Sequence, residues 1–187
     1  MPVATPLYER VLGDAWRDVA EPVRSLHDTR SIVGAHGNFR IVHGQHDVAR
    51  FVAWMLRLPP PSESAETRLM VTAADSGERW HRIMNGRRVD TRQYESRASE
   101  MAERYGVLEF RFRLDASRGG LLYVQRQIAL RVGPVSLRIP ASWSPRVEAR
   151  EDAAGPGRVS VAVRAWLPRV GLLIAYDGTI SVEHHTA

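Results

Sequence analysis

The fold is decided by residues 158–183, whose sequence is RVSVAVRAWLPRVGLLIAYDGTISVE. Apolar residues occupy every second position on both sides of a turn at 167–171, which contains proline and glycine. A period of two predicts two antiparallel strands, each with one buried face and one wetter face. An isolated hairpin is only marginally stable in water, so this one requires a larger sheet around it.

The preceding chain can supply that sheet, because alternating stretches recur there between turn signals. Strands are predicted at 38–43, 68–73, 78–84, 87–94, 107–115, 121–132, 136–139 and 145–151. Asn85-Gly86 is the strongest hairpin signal, since both residues tolerate positive φ. Residues 95–102 are compatible with a loop, a helical turn or a bulged strand. Nine or ten strands at hairpin spacing predict a mainly β fold, an antiparallel meander curled into a barrel or half-barrel.

Short helices are predicted before the meander, over 6–18 and again around 23–29. A third, over 47–58, is expected to pack on the sheet through a stripe of apolar residues at helical spacing: Val48, Phe51, Val52, Met55 and Leu56. Gly34 and Gly37 are expected to bracket a loop, and 62–67 to form a polar linker. We therefore expect a single domain over 1–187, with helices and one strand in 1–60 and the antiparallel sheet in 68–183.

The composition narrows the class of protein. The 187 residues include no cysteine, which excludes disulfides and thiolate sites, and all 26 basic residues are arginine. These arginines are interleaved with acids, so no nucleic-acid partner is predicted. No apolar run is long enough to span a bilayer, and the N-terminus does not resemble a secretory signal. A cytoplasmic location is the default expectation.

No recognised catalytic motif occurs in the chain. It lacks the Gly-x-Ser-x-Gly elbow, the Gly-x-Gly-x-x-Gly fingerprint and the Walker loop, so no catalytic residue and no cofactor are predicted. His43 and His46 have a ligand-like spacing, and His184-His185 is a pair. Zinc requires three or four ligands on rigid elements, so no metal site is predicted. His27 is interpreted as a capping or packing residue rather than a base.

Two arginines, Arg82 and Arg126, are predicted to lie on the same face of their strands as the apolar residues at every second position. A buried guanidinium is costly unless it is paired. One interpretation is an anionic ligand held inside the barrel, and the other is an internal ion pair with Glu103 or Glu148, or a position at the rim. The candidate ligand-binding residues are Arg82, Arg126, Trp80, Tyr176, Tyr123 and Glu148.

Short pieces spread over residues 7–178 resemble the bacterial domain-of-unknown-function 4166 family. They include Leu7-Tyr8, Pro22-Val23-Arg24, Leu26-His27, Leu58-Pro59-Pro60, Glu78-Arg79-Trp80, Glu103-Arg104-Tyr105-Gly106, Leu167-Pro168 and Tyr176 with Gly178. In relatives the domain often follows an NAD-type oxidoreductase domain, which is absent from this sequence. The resemblance therefore implies that any such link acts in trans or is lost, and it brings no known catalytic residues.

The interpretation that follows is a non-catalytic module that binds a small amphipathic or anionic molecule inside a β-barrel. The alternative is an interaction or regulatory module that acts with a separate NAD-type oxidoreductase. A hydrolase or isomerase stays open, although nothing in the residues proposes a reaction.

Overall fold

The computed structural model describes residues 5–74, 76–97, 99–133, 135–140 and 142–185. Residue 185 is described by its backbone only. Eleven antiparallel strands form one sheet, in the order β6-β5-β4-β3-β2-β1-β11-β10-β9-β7-β8. Because β6 also pairs with β7, ten of these strands close into a barrel, and β8 extends β7 outside the ring. The predicted fold class is confirmed, and the barrel is closed rather than open.

The strands are β1 Ile32–His43, β2 Ser62–Ala74, β3 Gly77–Met84, β4 Arg87–Arg97, β5 Glu100–Tyr105, β6 Leu108–Ser117, β7 Gly120–Val132, β8 Val135–Arg138, β9 Arg146–Ala153, β10 Arg158–Leu167 and β11 Gly171–His185. The hairpin predicted over residues 158–183 is β10–β11, which pairs from Arg158 with Ser181 to Leu167 with Gly171. β11 then pairs along the whole of β1. This second pairing joins the two ends of the meander.

The barrel has two different ends. One is closed by α1 (Leu7–Leu12), a 3-10 helix (Gly13–Asp18) and α2 (Glu21–Leu26), which we call the plug. The other carries α3 (Asp47–Met55) and the turns at 84–87, 105–108 and 167–171, and we call it the α3 end. Apolar side chains of the plug are fully buried against the barrel wall, so the core is continuous from helix to sheet.

Two predicted helices begin or end at other residues than expected. The single helix expected over 6–18 divides at Gly13, which takes φ +57° and ends α1. The positive φ favours glycine, and the chain continues as a 3-10 turn. The helix expected around 23–29 ends earlier, at Leu26.

The predicted loop around Gly34 and Gly37 is wrong, because both residues lie within β1. A Cβ atom on Gly37 would lie 2.0 Å from the carbonyl oxygen of Thr179 on β11. Here glycine marks a close backbone approach inside a strand rather than a loop. The polar linker expected at 62–67 is likewise strand, the first half of β2, with polar side chains alternating with buried Ala65 and Thr67.

α3 packs on the barrel as predicted, against β11 and β1, but through a different face. The buried residues are Ala49 and Ala53, whereas Phe51 and Met55 of the predicted apolar stripe are exposed. Small side chains let the helix axis approach the sheet closely, and the large ones point to solvent. His46 occupies the N-cap position and accepts a hydrogen bond from the Val48 amide.

A β-bulge changes the inward face of β7. Gln125 and Gln127 oppose the consecutive residues Phe112 and Arg111, so Arg126 is the extra residue. Before the bulge, the inward residues are Leu121 and Tyr123, and the predicted inward set beginning at Leu122 is out of phase. Residues 95–97 and 100–102 belong to β4 and β5 with an irregular register, the bulged-strand alternative, and residue 98 lies outside the described residues.

Candidate functional site

A cavity of about 100 Å³ lies inside the barrel, directly above the plug. Its walls are mostly apolar, with Phe39, Leu69, Met84, Phe112, Val161 and Ile180 among them. Its polar lining comes from Thr67, Arg82, Gln93, Glu103, Tyr123, Glu151 and Tyr176. An engineered cavity of about 150 Å³ can hold a benzene molecule, so this space suits a small organic group or a few waters.

Arg82 is the cationic side chain of the cavity. It donates from Nη1 to Thr91 Oγ1 at 2.9 Å, and Nη2 lies 3.5 Å from Glu103 Oε1. Its guanidinium carbon lies 4.7 Å from the centre of the Trp80 ring, a cation–π contact. The contact with Glu103 is long for a charge-assisted hydrogen bond, so this guanidinium retains donor capacity toward the cavity.

Tyr176 is the second donor that faces the cavity. Its ring packs edge-on against Phe39, and among the described residues its hydroxyl has no hydrogen-bond partner. Burial raises the pKa of Tyr176 to about 12, although the nearby Arg82 acts in the opposite direction. The phenol is therefore neutral at ordinary pH, and its O–H proton is available to an acceptor in the cavity.

A buried hydrogen-bond chain joins the plug to the barrel wall. Tyr8 donates to Gln93 Oε1 at 2.8 Å, and its hydroxyl lies 3.0 Å from that of Tyr123. Tyr123 donates to Glu151 Oε1 at 2.9 Å, and His27 Nε2 lies 2.6 Å from Glu151 Oε2. Burial, together with the Glu151 carboxylate, raises the pKa of both tyrosines well above its ordinary value. All five side chains are largely or fully buried, so the chain of contacts is shielded from water.

Glu78 is a second buried carboxylate beside this chain. Thr29 and Trp80 donate to its two oxygens at 3.1 Å and 3.0 Å. Burial raises the pKa of Glu78, while His27 and the two hydrogen bonds act in the opposite direction. The His27 ring stacks on Tyr8 at 3.6 Å between centroids, and its Nδ1 is buried without a partner among the described atoms.

The family model described as Domain of unknown function (DUF4166) matches residues 19–180. The chain belongs to this family. No curated protein matches the chain. Among solved structures, the crystal structure of Rv2717c from M. tuberculosis is similar, at 9% identity and a TM-score of 0.42, over 89% of this chain and 99% of that one. The family assignment confirms the resemblance found in the sequence.

In this DUF4166 chain, four of the six candidate residues meet at the cavity: Arg82, Trp80, Tyr123 and Tyr176. Arg82 also has the internal partner that the second interpretation named, Glu103.

Two candidate residues lie elsewhere. Arg126 is exposed, since the bulge in β7 turns it away from the interior. Glu148 is exposed as well, because it has the outward parity of β9, whose inward residues are Val147, Ala149 and Glu151. The prediction that these two side chains face the barrel interior is wrong.

Three of the four histidines considered as metal ligands have other contacts, and the side chain of His185 lies outside the described part of the structure. His43 Nε2 lies 2.8 Å from the Pro59 carbonyl oxygen, and His184 lies between Ser25 and Ser31. No group of three His, Asp or Glu side chains suited to a metal ion occurs within the described residues. None of the helices described is long and apolar enough to cross a membrane.

Four deeply buried polar residues of the site were not among the candidates predicted from the sequence: His27, Glu78, Gln93 and Glu151. One signal was available for Glu151, since it shares the alternation of Val147 and Ala149. His27 gave no such signal. It contacts Glu151 only because the plug folds back over the barrel, a contact between residues 124 positions apart.

Proposed function

We propose that the barrel binds one small amphipathic molecule in its interior, with the apolar part among the aliphatic and aromatic walls. The polar end accepts hydrogen bonds from Arg82 and Tyr176. The observation that carries this proposal is an unfilled volume of about 100 Å³ that is lined by both apolar side chains and two donors with unused capacity. Interiors are normally close-packed, and unfilled polar space of this size suits a ligand or ordered water.

The donors set the chemistry of the polar end. A guanidinium matches a carboxylate, which it can bind through two parallel hydrogen bonds, and a neutral phenol adds a third donor. Glu103 competes for Arg82, so a carboxylate ligand displaces the long Arg82–Glu103 contact rather than adding to it. A carbonyl group would be held by the same donors without the charge. We therefore place the ligand among small carboxylic acids and carbonyl compounds with an apolar body.

The size of the space limits the ligand. Pockets for drug-sized molecules have volumes of roughly 300–1,000 Å³, several times the volume available here. The walls beside the cavity include Val147, Val161 and Val163, which are half-buried, whereas Leu26 of the plug is fully buried. A medium-chain acid therefore fits better than a long-chain one.

The experiment is native mass spectrometry of the protein purified without added ligand, followed by thermal melts with medium-chain carboxylic acids. A bound acid at about 100 times its Kd raises Tm by roughly 5–10 °C. We expect Y176F to reduce this gain and the double variant R82M/E103Q to abolish it, the second change removing the carboxylate that R82M alone would leave unpaired.

Arg126 and Glu148 provide matched controls, because both are exposed and lie away from the cavity. R126M and E148Q should keep the full gain in Tm. A protein that carries no adduct and gains no Tm from any acid overturns the proposal, as does an equal gain in R82M/E103Q. The module that acts with a separate NAD-type oxidoreductase stays a prediction from the family resemblance, to be checked by a pull-down.

A further inference from the structure

Exposed apolar side chains are concentrated at the α3 end of the barrel. Among the described residues, thirteen large apolar side chains are exposed, and eleven of them lie at this end. They are Val48, Phe51, Trp54 and Met55 on α3, Ile83, Val107, Leu130, Val132, Val135 and Leu137 at the strand ends and turns, and Trp143 in the loop between β8 and β9. Met70 and Leu122 are the exceptions. Such a concentration marks an interaction surface rather than scattered exposure.

α3 presents the most apolar part of this surface. Trp54 is 75% exposed and Phe51 is 59% exposed, with ring centroids 5.9 Å apart. The fully buried residues of the same helix are Ala49 and Ala53, and Val52 is half-buried against the core. The helix is thus attached to the barrel by its small residues and turns its large aromatic residues outward.

The same end is basic. A groove beside α3 is lined by Arg50, Arg57 and Arg87 together with Trp54 and Met55. Within the described part of the chain, neither Arg57 nor Arg87 has an ion pair, and Arg50 has only an exposed contact with Asp47 at 3.7 Å. Residues 44–61 contain two arginines and one acid, Asp47, whereas residues 5–31 at the opposite end contain four arginines and five acids.

We propose that the α3 end docks on the surface of an anionic lipid bilayer. Helices that lie in a membrane interface combine Trp and Phe on one face with basic residues beside them. Phe51 and Trp54 insert among the headgroups, and the arginines that line the groove contact lipid phosphates, for which guanidinium is well matched. This contact is peripheral, and it does not depend on the cavity ligand.

Charge argues against a second copy of the chain as the occupant. A two-fold interface brings the same patch of both subunits together, so Arg50, Arg57 and Arg87 would face their own equivalents. Among the described residues, Asp47 is the one acid that forms an ion pair with any of these three arginines. Like charges that face each other across an interface lower the affinity of the complex. A negatively charged surface matches the combination of arginines and exposed aromatic side chains.

The test is flotation of the whole protein with two kinds of vesicle, one of phosphatidylglycerol mixed with phosphatidylcholine, and one of phosphatidylcholine alone. We expect the protein to float with the first, to float much less with the second, and to lose binding as salt is raised. Sedimentation velocity of the free protein should show a monomer.

Variants separate the contribution of the inserted aromatic side chains from that of the arginines. F51S/W54S should bind anionic vesicles about tenfold more weakly or worse, because two large apolar side chains no longer enter the interface. R57Q/R87Q should lose most of the preference for phosphatidylglycerol. The matched control is M70S/L122S, which removes the two exposed apolar residues away from this end and should bind like the wild type.

Thermal melts check that every variant is folded. Three results overturn the proposal: no flotation of the wild type with anionic vesicles, equal flotation of F51S/W54S and the wild type, or a wild-type dimer that F51S/W54S converts to a monomer. The last result would assign the surface to self-association.

Discussion

His27 and Glu151, 124 residues apart in the chain, meet at 2.6 Å between Nε2 and Oε2 inside the protein. His27 follows α2 in the plug, and Glu151 lies on β9 of the barrel wall. Both side chains are nearly inaccessible to water, at 0% and 8% exposure. This contact, extended by Tyr123 and Tyr8, fixes the plug over one end of the cavity.

Removal of one partner of this pair should be costly. We expect H27L to lower the free energy of unfolding by about 3–5 kcal/mol, because Glu151 is left buried with only Tyr123 as a donor. The double variant H27L/E151L should recover much of that loss, since no uncompensated carboxylate remains. Urea unfolding of the four proteins in the cycle measures the coupling, and strictly additive effects would contradict a direct interaction.

Because of Glu109, we expect the free energy of unfolding to fall in acid. It faces outward on β6 yet is buried under its partners, accepting hydrogen bonds from Tyr94, Arg131 and Arg111. Burial alone would raise the pKa of Glu109, but these hydrogen bonds outweigh it and lower the pKa to about 2. A carboxyl with a depressed folded-state pKa contributes stability above its unfolded pKa, which is lost as pH falls toward the folded pKa.

The free energy of unfolding should therefore fall between about pH 4.5 and pH 2, with up to about 3 kcal/mol attributable to Glu109. In E109Q this part of the pH dependence should be absent. E63Q is the matched control, because Glu63 is an exposed partner of Arg40, 84% accessible to water, and should leave the curve unchanged. The urea midpoints of the wild type, E109Q and E63Q, measured across this pH range, test this expectation.

Gly37 should not tolerate a side chain. A Cβ at this position would lie 2.0 Å from the Thr179 carbonyl oxygen on β11, a backbone atom that cannot rotate away. We expect G37A to lower the free energy of unfolding by more than about 2 kcal/mol. G106N is the control, since Gly106 has φ +57° and open space around it, which asparagine tolerates. Equal tolerance at both positions would contradict the close strand pairing.

The orientation of α3 can be tested by a pair of substitutions two residues apart. A53L should destabilise the protein by about 1–3 kcal/mol, because Ala53 is 3% exposed and the added atoms enter a packed contact. F51S should change the free energy of unfolding by less than about 0.5 kcal/mol, because Phe51 faces solvent. If F51S were the more damaging change, the aromatic face would be the buried one.

The sequence by itself determined the fold class, because strand alternation and turn residues are local signals that hold along most of the meander. It also determined which residues of β3 and β11 face inward, and so brought Arg82, Trp80 and Tyr176 to one site. Family membership followed from short motifs in a fixed order. These features are carried by residues close together in the chain, where periodicity is informative.

Only the tertiary structure decided the rest. The bulge at Arg126 shifts the phase of β7, and such a shift depends on pairing with β6 rather than on β7 itself. The face of α3 that packs against β11 and β1 carries Ala49 and Ala53 and not Phe51, a choice that depends on contacts with the sheet and not on the spacing of apolar residues within the helix. The contact of His27 with Glu151 required the plug to fold over the closed barrel, because neither residue has a local pattern that specifies a partner 124 positions away.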